Sequence, residues 1–205
     1  GTRPVIIRLL DAPLHEFLPD YEALLVELAE LRINEATPGE LQEKEGFLRQ
    51  VDALREANPM LGHRGCRLGL SFPAIYQMQV EAIITASAGL LRQGLEVQPE
   101  IMIPLTAHVN ELRRLKEDLT VVAARVQREL GVQVPYKFGT MIETPRAAIT
   151  AAEIAKESEF FSFGTNDLTQ MTYGFSRDDA EAKFLRSYIQ EGILPADPFE
   201  TVDTD

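Results

Sequence analysis

A single cysteine, Cys66, stands among the 205 residues. One thiol excludes an internal disulfide framework and a four-cysteine zinc site, and it fits a reducing compartment such as cytoplasm or an organelle stroma. Histidine is nearly as scarce: His15, His63 and His108 are scattered, with no HxxxH or Cys/His spacing, which argues against zinc. No stretch approaches the roughly 20 apolar residues that a bilayer crossing needs. The opening GTRPVIIRLL runs at once into charged residues, unlike a signal peptide. Positive charge is also short. Lys and Arg number 20 against 32 Asp and Glu, for a net charge of −12 and a pI near 4.8. No Lys/Arg cluster is present to neutralise a run of phosphates, so nucleic acid is not an expected partner. The chain also lacks a Walker loop, a GxGxxG and a Ser nucleophile elbow.

What remains is ordinary globular material, 45% hydrophobic and 25% charged, enough to bury a core. Short apolar runs rich in β-branched and aromatic residues alternate with longer segments of helical period, which predicts repeated βα units and a parallel sheet. The runs are Pro4 to Leu10, Gly65 to Leu70, Glu100 to Leu105, Tyr136 to Ile142 and Glu159 to Phe163. Between the first two, Leu24, Leu28 and Leu31 recur at helical spacing. A second helix is predicted from Thr37-Pro38-Gly39-Glu40, where Thr37 caps, Pro38 suits the first helical position and Glu40 reaches back. This is a helical insertion over about residues 20–57. Ile75, Met78 and Ala82 mark one later amphipathic helix. Val109, Leu112, Leu115, Leu119, Val122 and Val126 mark another, stopped at Gly131. A further helix follows Thr144-Pro145. Five βα units suit either a doubly wound sheet or part of an eight-stranded barrel, read as one domain over residues 1–205.

In either architecture the residues just past the carboxyl ends of the strands line the active site. These are Arg8 and Asp11, the turn Gly62-His63-Arg64-Gly65, Glu143, and Gly164-Thr165-Asn166-Asp167. Glu143 and Asp167, from neighbouring strand ends, form a pair able to share a hard cation such as Mg²⁺ or Mn²⁺ while leaving octahedral positions to water and substrate. The competing reading has each carboxylate cap the helix that follows, less naturally for Glu143 because Thr144 is the better cap. Arg8 at the end of an apolar strand needs an anionic partner, either Asp11 or a substrate carboxylate or phosphate. Arg64 between two glycines either approaches a ligand closely or marks a tight turn. Gly164, Thr165 and Asn166 offer N–H groups, a hydroxyl and an amide at a helix start, which suits an anion.

Four segments together resemble the C-terminal domain of the phosphoenolpyruvate-utilising enzymes, almost end to end. They are NPMLGHRGCRLGLSFP at Asn58 to Pro73, PEIMIPL at Pro99 to Leu105, GTMIETPRAA at Gly139 to Ala148, and FFSFGTNDLTQMTYGFSRDDA at Phe160 to Ala180. RLLDAPLHEFLP at Arg8 to Pro19 and His63 within GHRGCRL are similar to the dikinase branch of that family. Other branches are the synthases, whose phosphate acceptor is water, and the sugar-phosphotransferase enzymes.

The resemblance implies an α/β fold of (β/α)₈ barrel type, present here as an incomplete barrel of about five βα units. It implies that Arg8 and Arg64 bind the phosphate and carboxylate of phosphoenolpyruvate, and that Glu143 and Asp167 hold Mg²⁺. Gly164, Thr165 and Asn166 would contact the substrate, with Asp11 supporting the arginines; Arg8, Arg64 and Asn166 would be the catalytic groups. The implied partners are pyruvate or phosphoenolpyruvate and a phosphohistidine carried by another domain, in a parent expected to be a homodimer. The implied parent reaction turns ATP, pyruvate and phosphate into AMP, phosphoenolpyruvate and pyrophosphate.

The chain begins close to a hydrophobic run and stops at DPFETVDTD, and is expected to be a piece of something longer. The family's CGEHGG-type segment, whose cysteine protonates the enolate, is not found here. Cys66 lies in GHRGCRL instead and reads as a small buried residue on the second strand. Alone, such a piece is expected to be inactive. Its open sheet edges would favour self-association, and the alternative of another class is a structural module that binds neither Mg²⁺ nor substrate.

Overall fold

The computed structural model describes residues 3–202. The chain forms two compact units, one built from the residues up to Asp11 together with those from Gly65 onward, the other from Ala12–Arg64.

The first unit is a parallel sheet with helical crossovers. Strands β1 (Val5–Arg8), β2 (Pro99–Ile103), β3 (Lys137–Ile142) and β4 (Phe161–Phe163) lie side by side in chain order. Their pairing runs Ile7↔Ile101, Ile101↔Phe138 and Thr140↔Phe161. Sequential order without reversal is the arrangement of a (β/α) barrel; a doubly wound sheet reverses at a switch point. The four strands make half of an eight-stranded barrel's complement. β2 is buried at every position, as a strand covered on both faces must be. β1 is outermost, and Val5 and Ile6 on it stay exposed.

The Gly65 to Leu70 run, expected as a strand, is instead helix α3 (Gly65–Ser71). Cys66, Leu68 and Leu70 alternate as in a strand, yet six residues satisfy either period. Gly69 settles the matter by packing: a Cβ there would sit 2.4 Å from the Tyr76 ring, so α3 lies directly on the next helix, α4 (Pro73–Arg92). Cys66 is buried as expected, but on this helix.

The face of α4 also differs from the expected one. Tyr76, Val80, Ile84 and Ala88 are buried, whereas Met78 and Ala82 are exposed and Ile75 is half-buried. Tyr76 is fully buried, and its hydroxyl donates to the Leu10 carbonyl at 2.9 Å. Helix α5 (Val109–Leu130) buries Leu112, Leu115, Leu119, Val122 and Val126, the face its period predicts, and ends at Gly131 with φ 63°. These helices close over Ile101, Ile103 and Phe138 to form the core.

The shorter elements of this unit are α6 (Pro145–Ile149), α7 (Ala151–Ile154), α8 (Thr165–Tyr173), α9 (Arg177–Lys183) and α10 (Leu185–Gln190).

The second unit holds α1 (Tyr21–Ile33) and α2 (Pro38–Leu54). Leu24 and Leu28 of α1 and Val51 of α2 are buried. Thr37 and Glu40 form the expected capping box, with Pro38 in the first turn. Their reciprocal hydrogen bonds hold the Glu40 carboxyl below the usual carboxylate range. The two helices are joined by ion pairs, Arg32 to Glu45 at 2.8 Å and Lys44 to Glu27.

Candidate active site at the carboxyl ends of the strands

Each strand of the barrel unit delivers one element of the site. β1 ends at Arg8 and leads to Asp11. β2 leads into Pro104, Leu105 and Thr106. Glu143 follows β3, and the Gly164 to Asp167 turn follows β4 and opens α8. Because the strands are parallel and in register, these ends share one rim. The result is an acidic cluster: Asp11, Glu143 and Asp167 each place a carboxylate oxygen within 4.8 Å of the others. Glu143 is only 1% exposed and Asp11 7%.

Neither carboxylate of the predicted pair is a helix cap. Thr144 caps α6, its hydroxyl accepting from the Ala147 N–H at 3.2 Å. Gly164 takes the capping position of α8, leaving Asp167 inside the first turn, 3.5 Å from Gln170 Nε2. Glu143 Oε1 accepts from the Leu105 N–H at 2.5 Å, which ties the end of β3 to the end of β2. A Cβ at Gly164 would lie 2.5 Å from Glu143 Oε2, so only glycine fits beside that carboxylate.

Arg8 pairs with Asp11 at 3.4 Å, as the first alternative for it required. Arg8 is not buried at the end of its strand. Its side chain is half-exposed, because β1 is outermost, and its guanidinium is accessible to a ligand. Thr165 and Asn166 are exposed at the start of α8, where N–H groups and the helix dipole favour an anion. Arg64 belongs to the other unit, where its Nη1 donates to the Met60 carbonyl at 3.3 Å. Gly65, the first residue of α3, has φ 58°, and a Cβ on it would meet Leu105 Cβ at 2.7 Å and Asp11 Oδ1 at 3.0 Å. Cys66 donates from Sγ to the Leu105 carbonyl at 3.2 Å, and burial, reinforced by Glu111, pushes its thiol far above the usual range. It is a packing residue, not a nucleophile.

Asp11, placed on the same rim by the sequence and expected there to support the arginines, also joins the acidic cluster, a role that went unassigned. The Leu105 main chain was not anticipated, and no side-chain chemistry marks it. Three oxygen donors of this kind suit a hard divalent cation and would not suit a soft one.

Residues 1–202 match the family model described as PEP-utilising enzyme, PEP-binding domain. The chain belongs to that family. It is similar to pyruvate, phosphate dikinase of Entamoeba histolytica, 50% identical over 201 residues that make up 98% of this chain and 23% of the relative. It is 54% identical over 203 residues to the chloroplastic pyruvate, phosphate dikinase 1 of Arabidopsis thaliana, covering 98% of this chain and 20% of that protein. The dikinase of Clostridium symbiosum is 50% identical over 203 residues, 98% of this chain and 22% of the relative. The chain thus spans about a fifth of the length of these relatives. Both likenesses drawn from the motifs, to the family and to its dikinase branch, agree with these matches. Among the described residues no helix is long and apolar enough to cross a membrane.

Proposed function

We propose that this chain is the phosphoenolpyruvate- and pyruvate-binding part of a pyruvate, phosphate dikinase, and that Glu143 and Asp167 hold Mg²⁺ in it. The observation that carries the reading is the meeting of Asp11, Glu143 and Asp167 oxygens within 4.8 Å at the carboxyl rim of the sheet. The dikinase relatives, matched over 98% of the chain, support it.

Bound Mg²⁺ supplies a concentrated positive charge where negative charge develops on the enolate oxygen. Arg8, held by Asp11, and Arg64 offer planar guanidinium forks that match a carboxylate or phosphate. Asn166 and the N–H groups at the start of α8 bind the remaining substrate oxygens, with Gly164 keeping the approach open. The residues of this rim bind and orient the substrate. The phosphoryl group comes from a phosphohistidine on another domain of the parent, so this chain alone turns over nothing. We read residues 1–205 as one partial barrel domain with a helical insertion over about residues 20–57, from a homodimeric parent in the cytoplasm or a plastid stroma.

Isothermal titration with oxalate, an enolpyruvate mimic, tests this. Heat that appears only when Mg²⁺ is present is the expected result. No heat in either condition would refute ligand binding by this chain and make it a structural module.

A further inference from the structure

Leu105 is fully buried and has φ 60°, a left-handed conformation that a bulky side chain rarely adopts. Such conformations persist only where the surroundings over-determine them, and they gather at functional sites. Here the surroundings do so. The Cys66 N–H donates to the Pro104 carbonyl at 3.1 Å, and Cys66 Sγ to the Leu105 carbonyl at 3.2 Å. Thr140 Oγ1 donates to the Ile103 carbonyl at 2.7 Å and pairs with Thr106 Oγ1 at 2.8 Å. Thr144 Oγ1 donates to the Thr106 carbonyl at 3.4 Å. From Ile103 to Thr106 every carbonyl is held by a named group, and within this segment the Leu105 N–H is aimed at Glu143 Oε1 at 2.5 Å.

We propose, on the reading of Glu143 as a cation ligand, that the Leu105 peptide is a positioning element that commits Glu143 to coordination through one oxygen and so favours Mg²⁺ or Mn²⁺ over Ca²⁺. A calcium ion gathers about six to eight oxygens and readily takes both oxygens of a carboxylate, whereas Mg²⁺ demands a compact octahedron with single-oxygen ligands. The Leu105 N–H engages Oε1 and fixes the carboxylate plane. Beside Oε2 the space is kept clear by Gly164, whose Cβ would intrude to 2.5 Å. The carboxylate is therefore turned so that its two oxygens have different environments, one facing the peptide and the other facing the glycine.

The test follows Mn²⁺ binding to the whole chain by electron paramagnetic resonance, with Mg²⁺ and Ca²⁺ as competitors, in wild type, Cys66→Ala and Thr140→Val. Neither replaced side chain belongs to the acidic cluster, and the second substitution nearly preserves shape. Wild type is expected to prefer Mg²⁺ over Ca²⁺, and that preference is expected to fall roughly three- to tenfold in each variant, as the loss of one fixing hydrogen bond implies. A general loosening would weaken both ions alike and leave the ratio unchanged; that outcome, or a wild type binding Ca²⁺ as tightly as Mg²⁺, overturns the proposal and leaves the metal reading standing. A wild type that binds no Mn²⁺ overturns both. Should the variants not fold, the Leu105 amide proton of ¹⁵N-labelled wild type decides, since its hydrogen bond must persist in the Mg²⁺-saturated chain and its loss on saturation overturns the proposal.

Discussion

Glu143→Ala is expected to remove all Mg²⁺-dependent oxalate heat and also to destabilise the barrel unit. The two effects have different origins. The first is the loss of a ligand from a three-carboxylate cluster. The second comes from the Leu105 N–H, which loses its acceptor inside the protein; an unsatisfied buried donor costs about 1–3 kcal/mol. Glu143→Gln separates them, because the amide oxygen still accepts from Leu105 while the negative charge is gone. The glutamine variant should keep a urea midpoint near that of wild type and lose the oxalate heat. Retained Mg²⁺-dependent heat in that variant would remove Glu143 from the list of metal ligands.

The second large effect is expected from Gly65→Ala. Two costs add at this position. A left-handed residue with a Cβ costs roughly 1–2 kcal/mol, and forcing a methyl into filled space costs about 1–3 kcal/mol more. The space is filled, since the new Cβ would meet Leu105 Cβ at 2.7 Å, Asp11 Oδ1 at 3.0 Å and the Pro104 carbonyl at 3.2 Å. Gly131→Ala is the control, having φ 63° and nothing within 4 Å of the added Cβ, so only the conformational cost applies. Urea denaturation should show Gly65→Ala losing at least twice as much stability as Gly131→Ala. Equal losses would show that the neighbours of Gly65 yield. Because two of those neighbours belong to the site, oxalate binding should weaken along with stability.

How far the sequence speaks differs from element to element. Over its 22 residues α5 repeats its apolar face so often that no other period fits, and the structure buries that face. The four strands fall within the predicted apolar runs to within a residue or two; for β2, buried at every position, this is because continuous burial needs continuous apolar sequence. GCRLGL was misread because six residues are too few to distinguish a period of two from one of 3.6, and the decisive contact, Gly69 against Tyr76, is tertiary. On α4 the choice of Met78 and Ala82 failed for a related reason: the helix is apolar around much of its circumference, and only its packing shows which stripe is covered. The acidic residues of the site were legible because parallel strands put their carboxyl ends on one rim. The need of Arg8 for an anionic partner was legible, and Asp11 supplies one, but its half-exposure follows from the outermost position of β1, a property of the sheet and not of the local sequence. Leu105 was invisible because it acts through its main chain, and a leucine's identity says nothing of where its N–H points.

The burial of Tyr76 gives the molecule an internal optical reporter. The chain has no tryptophan and only five tyrosines, so its near-ultraviolet signal is phenolic. Burial, with smaller contributions from the neighbouring Cys66, Asp11 and Glu143, pushes the Tyr76 phenol well above its ordinary value. In the unfolded chain the same group ionises near pH 10, so alkali above that point favours the open state and stability falls as pH rises. The phenolate absorbance of Tyr76 would appear only as the core around Leu10 gives way. That increment of colour would mark the loss of the strand end that carries Asp11 to the site.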